Sequence, residues 1–314
     1  SIIGQWQVED ISFKELIHGS HINYDNSKPY PFCLAYALEK ELDELGHPED
    51  WIVEQKWDGI RGQIVKRNNE IFIWSRGEEL VTKQFPELVE AFSNFKDDFV
   101  IDGEILATKD NDVLLFNDLQ KRLNRKNVTK KLLEEVPIGF YAYDILEYND
   151  DDIRSEAFEK RRHILEQLFQ SVALSNSVKL SFLVKFSKWE DLYDIRNNSR
   201  QINSEGLMLK QKASPYHTGR KKGDWWKWKV DPLTIDAVMI YAQKGSGRRS
   251  SKYTDYTFAV KKDDGLVTVA KAYSGLTDKE ITEISRWVNK NAIEKFGPVR
   301  TVKPELVFEI AFEG

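Results

Sequence analysis

Apolar positions recur along this chain first at the two-residue period of strands and then at helical spacing, and the alternation predicts a mixed protein. From residue 51 the runs WIVEQKW (51–57), GQIVKR (62–67) and EIFIWS (70–75) are rich in β-branched and aromatic residues, with Asn68-Asn69 as a hairpin turn. Residues 85–95 carry apolar side chains at helical spacing, and Pro86 suits a first turn. Further strands are predicted at 99–107, 138–146, 178–186 and 205–211, with helices at 115–134, 156–170 and 189–200. Residues 1–50 read as irregular, with a short acidic helix over 37–45. Beyond Asp231-Pro232 the pattern changes to short strands at 234–242, 256–262, 266–273 and 305–310. One helix, 278–296, interrupts them: Thr277 and Glu280 have the spacing of a capping box, and Gly297-Pro298 stops it. Two domains follow from this pattern, the second a small β-barrel.

Composition narrows the class. The chain has 314 residues, 41% hydrophobic and 31% charged, which fits two ordinary globular domains. No run approaches the ~18 apolar residues of a membrane-spanning helix, and no secretory leader is expected from SIIGQWQVED. Cys33 is the only cysteine, so an internal disulfide framework is excluded and a reducing compartment fits. With 46 Lys+Arg against 51 Asp+Glu the net charge is 46 − 51 = −5. That argues against a uniformly basic coat and leaves room for a locally basic groove.

Chemistry concentrates in short polar clusters. Alternation puts Ile52, Glu54 and Lys56 on one strand face, and Asp58-Gly59 then turns the chain. A lysine at a strand end beside a tight glycine turn can approach a phosphate; to act as a nucleophile it must lose its proton, which neighbouring cations or desolvation promote. The bland alternative is an exposed lysine before a turn. Arg76 ends a strand within reach of a phosphate or sugar, or simply faces solvent. Asp102 and Glu104 share one face of an apolar strand, which asks for a compensating cation, whether from a ligand or from a structural ion pair. The aromatic strand Phe140–Asp144 is core or a stacking platform. Glu205 opens a strand, and in WWKWK Lys227 and Lys229 share a face opposite Trp226 and Trp228. Two basic clusters stand apart. Lys121, Arg122, Arg125 and Lys126 are expected on one helix, with Arg122 and Arg125 on one face able to meet successive phosphates; a solvated basic helix is the alternative. Arg248 and Arg249 fall on a glycine-rich loop of the second domain.

Taken in order, these clusters resemble the covalent nucleotidyltransferase superfamily, and most closely the bacterial ATP-dependent DNA ligases. Lys56–Arg61 resembles motif I (KxDGxR), Ser75-Arg76 motif Ia, Asp102–Glu104 motif III, Phe140–Asp144 motif IIIa, Glu205-Gly206 motif IV and Lys227–Lys229 motif V. The phrases SRGEELVT, SPYHTGRKKGDWWKWK and KPELVFEIAFEG are similar to those of bacterial ligases. The resemblance implies that Lys56 attacks the α-phosphate of ATP to give a lysyl-AMP. The AMP would pass to the 5′-phosphate of a nick, and the 3′-hydroxyl would displace it. It implies that Glu54 accepts from the adenine amino group and Tyr143 stacks on the ring. Arg61, Arg76, Glu104, Glu205 and Arg220 would hold ribose, phosphates or metal, with Glu104 and Glu205 the metal candidates, and Lys227 and Lys229 would neutralise the α-phosphate. Mg2+ (or Mn2+) follows from polyphosphate chemistry. There is no GxxxxGK[ST] loop, which excludes a P-loop enzyme.

The expected fold is α+β. Residues 1–30 are taken as a lead-in, 31–230 as an adenylation domain of antiparallel sheets flanked by helices, and 231–314 as an oligonucleotide-binding barrel hinged at Asp231. Motif VI is not found before Gly314, so this barrel is expected to be incomplete at its C-terminus. The implied partner is nicked duplex DNA, with no membrane, for a monomer of the bacterial cytoplasm serving DNA repair, replication or recombination. Alternatives are an RNA ligase or capping guanylyltransferase of the same superfamily, and a nucleic-acid-binding remnant without catalysis.

Overall fold

The computed structural model describes residues 26–110, 112–123, 125, 128–172, 177–263 and 265–312. Its contacts divide the chain into two compact units, Ser1–Val230 and Asp231–Gly314. The first unit begins with β1 (Cys33–Leu34), β2 (Tyr36–Ala37), β3 (Trp51–Trp57), β4 (Ile60–Arg67) and β5 (Glu70–Ser75). Helix α1 (Pro86–Ser93), β6 (Phe99–Lys109), β7 (Asp112–Val113), α2 (Phe116–Leu123) and α3 (Lys130–Glu135) follow. Then come β8 (Ile138–Tyr148), β9 (Asp151–Asp152), α4 (Phe158–Gln170), β10 (Val178–Leu180) and α5 (Asp191–Asn197). The unit closes with β11 (Ser204–Gln211), β12 (Gly219–Arg220) and β13 (Trp225–Lys229).

Two sheets result. The larger runs β10-β8-β6-β4-β5, antiparallel except where β10 lies parallel to β8; the smaller runs β2-β13-β11-β3. Strand alternation sends Ile64, Ile101 and Phe140 to one face of the larger sheet, where Leu88 and Phe92 of α1 and Leu165 and Phe169 of α4 cover them. Burying each such phenylalanine contributes about 2–3 kcal/mol. On the opposite face, Val65 and Val100 pack with Cys33, Tyr216 and Trp225. Two connections tie the layers together. After β10 the chain crosses sheets, so that Leu183 bridges Glu54 and the Val184 N–H donates to the Val53 carbonyl at 2.8 Å. The β4 side chains fasten Asn26–Tyr30, part of the expected lead-in: Arg67 donates to the Asn26 and Lys28 carbonyls, and Gln63 bonds both backbone groups of Tyr30. Residues 1–25 lie outside the described residues.

The second unit contains β14 (Leu233–Lys244), β15 (Tyr253–Lys262), β16 (Gly265–Ala272), α6 (Asp278–Asn291), β17 (Ala292–Phe296), β18 (Val299–Val302) and β19 (Val307–Phe312). The long β14 pairs with β19 through its first half and with β18 through its second, while α6 packs Ile284 and Val288 against Tyr253 and Phe258. Among the described residues, no helix is long and apolar enough to cross a membrane.

Several sequence expectations are corrected here. The 278–296 helix stops at Asn291, where the backbone turns extended at Ala292 and Ala292–Phe296 forms a hairpin with Val299–Val302 instead. The acidic stretch 37–45 yields only a 3-10 turn, Leu42–Leu45. The 178–186 strand ends at Leu180, where the chain leaves the larger sheet. The 189–200 helix ends at Asn197, followed by a 3-10 turn at Ser199–Ile202. The 115–134 helix is two helices, the second restarted by the Thr129 hydroxyl accepting from the Leu132 N–H.

The break matters for the basic cluster. Arg122 does not face solvent beside Arg125: it is fully buried, at 0% exposure, donating to the Val136 and Gln84 carbonyls and to Glu87. A guanidinium with those bonds ties α2 to α1 and has no surface for a phosphate, so the DNA-contact expectation for Arg122 is overturned. Replacing Arg122 by alanine should cost about 3 kcal/mol in urea denaturation, because buried acceptors lose their donor. Any salt-dependent binding to duplex DNA should be unchanged in the variant at temperatures where it is folded.

Candidate active site

The two sheets of the first unit enclose a cleft of about 530 Å³. The smaller sheet contributes Glu54 and Lys56 from β3, Glu205, Met208 and Lys210 from β11, and Trp225, Lys227 and Lys229 from β13. Arg61, Arg76, Glu104 and Tyr143 line it from the larger sheet, and Arg220 from β12. The cleft thus brings together Lys56 and the nine residues expected around a nucleotide. Two glycines make the approach possible. A Cβ on Gly59 would meet the Ile105 carbonyl at 2.5 Å, so the turn after Lys56 can rest directly on β6. Gly206 has φ +136°, and a Cβ there would meet the Trp228 carbonyl at 2.3 Å; only glycine brings the end of β13 alongside Glu205.

Charge is organised around one carboxylate. Glu205 forms ion pairs with Lys56 and, at 3.1 Å, with Lys229. Burial pushes its carboxyl up, but the two ammonium groups outweigh this and hold it below the usual range. Lys227 is lowered by burial and then by repulsion from Lys56, Lys229 and Arg220. Asp58 is raised by burial and by the neighbouring Glu205. Burial pushes Glu104 up to about 8 despite Lys56 and Arg61. Asp102, by contrast, belongs to the framework: Arg61 grips it through Nε and Nη2, and Tyr216 donates to it at 2.6 Å. With further bonds to the Cys33 carbonyl and the Tyr216 hydroxyl, four of the five Arg61 N–H groups are spent within the protein.

The most buried part of the cleft holds residues that sequence reasoning missed. Lys210, 1% exposed, lies 2.6 Å from Glu54 and within 4.1–4.8 Å of the ring centres of Tyr143, Trp225 and Phe158. Arg162 of α4 reaches the other oxygen of Glu54 at 3.2 Å. A signal existed for both: Lys210 shares the inward face of β11 with Met208, and Arg162 falls among Phe158, Leu165 and Phe169 on the apolar face of α4. The indole N–H groups of Trp57 and Trp225, both of which line the cleft, are buried without hydrogen-bond partners.

The remaining basic residues lie outside the cleft. Lys121 is exposed and paired with Asp118, and Arg125 is exposed just beyond α2. In the second unit Arg248 and Arg249 are exposed on the 3-10 turn Gly247–Arg249, with Arg249 paired to Asp278 at 2.8 Å. Lys126 lies outside the described residues.

A carboxyl held near 8 when folded, against its ordinary 4.5, makes stability depend on pH. Between those values the folded chain binds more protons than the unfolded one. The contribution of Glu104 is therefore complete below about 4.5 and is lost as pH rises through about 8. Glu104→Gln, a neutral isostere, should melt with the wild type near pH 5 and above it by pH 9, as thermal denaturation across that range would read.

Comparison with known proteins agrees with this geometry. The model of the ATP dependent DNA ligase domain matches residues 33–229. A probable DNA ligase of Koribacter versatilis is 33% identical over 304 residues, covering 90% of this chain and 53% of the relative. A DNA ligase of Methanothermobacter thermautotrophicus is 31% identical over 291 residues, covering 91% and 51%. The chain therefore spans about half the length of these curated relatives. Among solved structures, a mycobacterial DNA ligase D complexed with ATP and MES has the same fold, with a TM-score of 0.54 at 20% identity over 90% of this chain and 89% of that one. With the family match covering most of the first unit and its cleft, the chain belongs to the ATP-dependent DNA ligase family.

Proposed function

We propose that this chain catalyses ATP-dependent sealing of nicks in duplex DNA through an AMP group carried on Lys56. The observation that carries the reading is the placement of Glu205 between Lys56 on one neighbouring strand and Lys229 on the other, with Lys227 beside them, in a cleft whose opposite end is aromatic and buried. That end suits a purine: Tyr143 and Met208 offer flat contacts, while Glu54 accepts and Lys210 donates at the ring edge. Lys56 Nζ, having released one proton to solvent, attacks the α-phosphorus of ATP and releases a second proton as the P–N bond forms. The bond from that phosphorus to the bridging oxygen breaks, and pyrophosphate leaves with the electron pair. Lys227 and Lys229 stabilise the charge gathering on the α-phosphate oxygens. The AMP then passes to a 5′-phosphate oxygen as the P–N bond breaks and Lys56 regains a proton. Finally the 3′-hydroxyl attacks that 5′-phosphorus, losing its proton, and AMP departs.

A divalent cation fits the donor set, since hard carboxylate oxygens suit Mg2+ or Mn2+. Among the described residues no three His, Cys, Asp or Glu side chains are grouped to hold one alone, which is the arrangement expected of an ion shared with phosphates. Glu205 is the residue equipped to hold it, with Glu104 joining after losing its proton. When bound, the ion would neutralise phosphate charge. Arg76, Arg220 and the remaining N–H of Arg61 would meet phosphate or ribose. Exposed Lys121, Arg125, Arg248 and Arg249 would contact the DNA backbone without reading bases. We place the protein in the bacterial cytoplasm, acting as a monomer on nicks from repair, replication or recombination.

Incubating the purified chain with ATP or GTP should leave AMP, and not GMP, on Lys56, as mass spectrometry of its peptides would read. Lys56→Ala should abolish the adduct and leave the melting curve within a few degrees of wild type. An adduct on another lysine would refute the assignment. Because one lysine must serve ATP and then a DNA end, we also assign Asp231, the first residue of the second unit, as a hinge. Asp231→Pro, which fixes φ there, should slow the complete cycle more than self-adenylation or sealing of a pre-adenylated nick assayed alone. Equal slowing in all three assays would remove the hinge.

A further inference from the structure

Helix α4 turns two adjacent arginines inward, and they do different things. Arg161 grips Asp144 through two bonds of 2.8 and 2.9 Å and joins the helix to β8. Arg162 contributes to the wall of the cleft without lining it. Its Nε donates to Glu166 at 2.8 Å, one Nη donates to the Ser181 carbonyl at 2.8 Å, and the other reaches Glu54 Oε1 at 3.2 Å. Ser181 and Glu54 both line the cleft, and the second oxygen of Glu54 faces Lys210.

Consider the same site without Arg162. One carboxylate and one ammonium would remain, buried together and facing each other. In a low-dielectric site opposite charges close on one another. Glu54 would swing fully onto Lys210, and the acceptor and donor offered to a ligand would be spent internally. A guanidinium fork is rigid and always charged, so it fixes direction as well as charge. Anchored on Ser181 and Glu166, it holds Oε1 in place, and the carboxylate keeps lone pairs aimed into the cleft.

The order of those groups selects a base. A 6-aminopurine presents an amino donor beside an unprotonated ring nitrogen, which matches a carboxylate acceptor beside an ammonium donor. A 6-oxopurine presents an acceptor beside an N–H donor, so each group would meet its like. We propose that Arg162 is a positioning residue that sets base specificity, by holding Glu54 and Lys210 in the spacing that accepts a 6-aminopurine and rejects a 6-oxopurine. This rests on the reading that the cleft binds a purine nucleotide for transfer to Lys56.

The test is the rate of adduct formation on Lys56 with ATP and with inosine triphosphate, which differ at that ring edge, in wild type, Arg162→Gln and Arg162→Lys. Wild type should favour ATP by a factor of at least about 100. Arg162→Gln should raise KM for ATP about tenfold, lower the saturated rate less, and shrink the preference at least about tenfold. Arg162→Lys should recover part of the preference. If the glutamine variant does not fold, the lysine variant decides, since it keeps the charge but loses the fork. Rates that fall in parallel for both nucleotides, or a wild type indifferent between them, would overturn the proposal. No adduct on wild-type Lys56 with either nucleotide would instead overturn the underlying reading of the cleft.

Discussion

The cleft depends on one carboxylate holding two ammonium groups. Lys56, Lys227, Lys229 and Arg220 crowd the cleft, and without a counter-charge they would repel one another. Glu205 supplies it, pairing with Lys56 and Lys229 at once. The arrangement is costly in burial and effective in chemistry, because the cations stay close together until an anionic ligand can replace the carboxylate. It also orders its surroundings. Burial, reinforced by the same carboxylate, pushes the carboxyls of Asp58 and Glu104 up.

That pairing is possible only because backbone geometry permits it. Gly206 lets β13 approach β11 closely, the Val230 N–H donates to the Glu205 carbonyl at 2.9 Å, and Arg196 Nε donates to the Lys229 carbonyl at 2.8 Å. The strand end carrying Lys229 is thereby fixed from both sides. Packing elsewhere in the unit serves the same purpose: the phenylalanine-rich core between α1, α4 and the larger sheet fixes the strands that carry Arg61, Glu104 and Tyr143.

Much of the cleft was legible from sequence, since polar residues such as Glu54 and Glu104 interrupt apolar strands while Lys56, Glu205 and Lys229 sit near strand ends. Glu54 and Lys56 share a face in WIVEQKW, and Lys227 and Lys229 do so in WWKWK, so spacing alone paired them. Lys210 was not legible in this way because it ends an apolar strand, where a lysine reads as a solvent-facing terminus; only its register with Met208 betrays it. Arg122 misled for the opposite reason. A run of basic residues reports charge but not which face the helix buries, and the buried face here takes an arginine because three acceptors converge there. The end of α6 was misplaced because Gly297-Pro298 marks a hairpin turn as readily as a helix stop.

The two ends of the cleft differ in a way that suits successive ligands. At the base end Glu54, Lys210 and Arg162 are almost inaccessible to water, and Glu54 and Lys210 lie among aromatic rings or strand backbone. Reorganising them would expose buried charge, so they form a fixed template. At the end proposed for the phosphates Lys229, Arg76 and Arg220 are reached by solvent, and the Lys229–Glu205 ion pair can exchange with incoming anions. In the proposed reaction, a nucleotide held at the fixed end would remain in register while the groups around its phosphate change partners. Lys56 stands at the junction, six to seven ångströms or so along β3 from Glu54 by strand geometry. It belongs to the rigid strand through its backbone and to the exchangeable cluster through its ammonium group. In the proposed reaction Lys56 would keep its position while losing Glu205 as its partner, which is the change that freeing its amine requires.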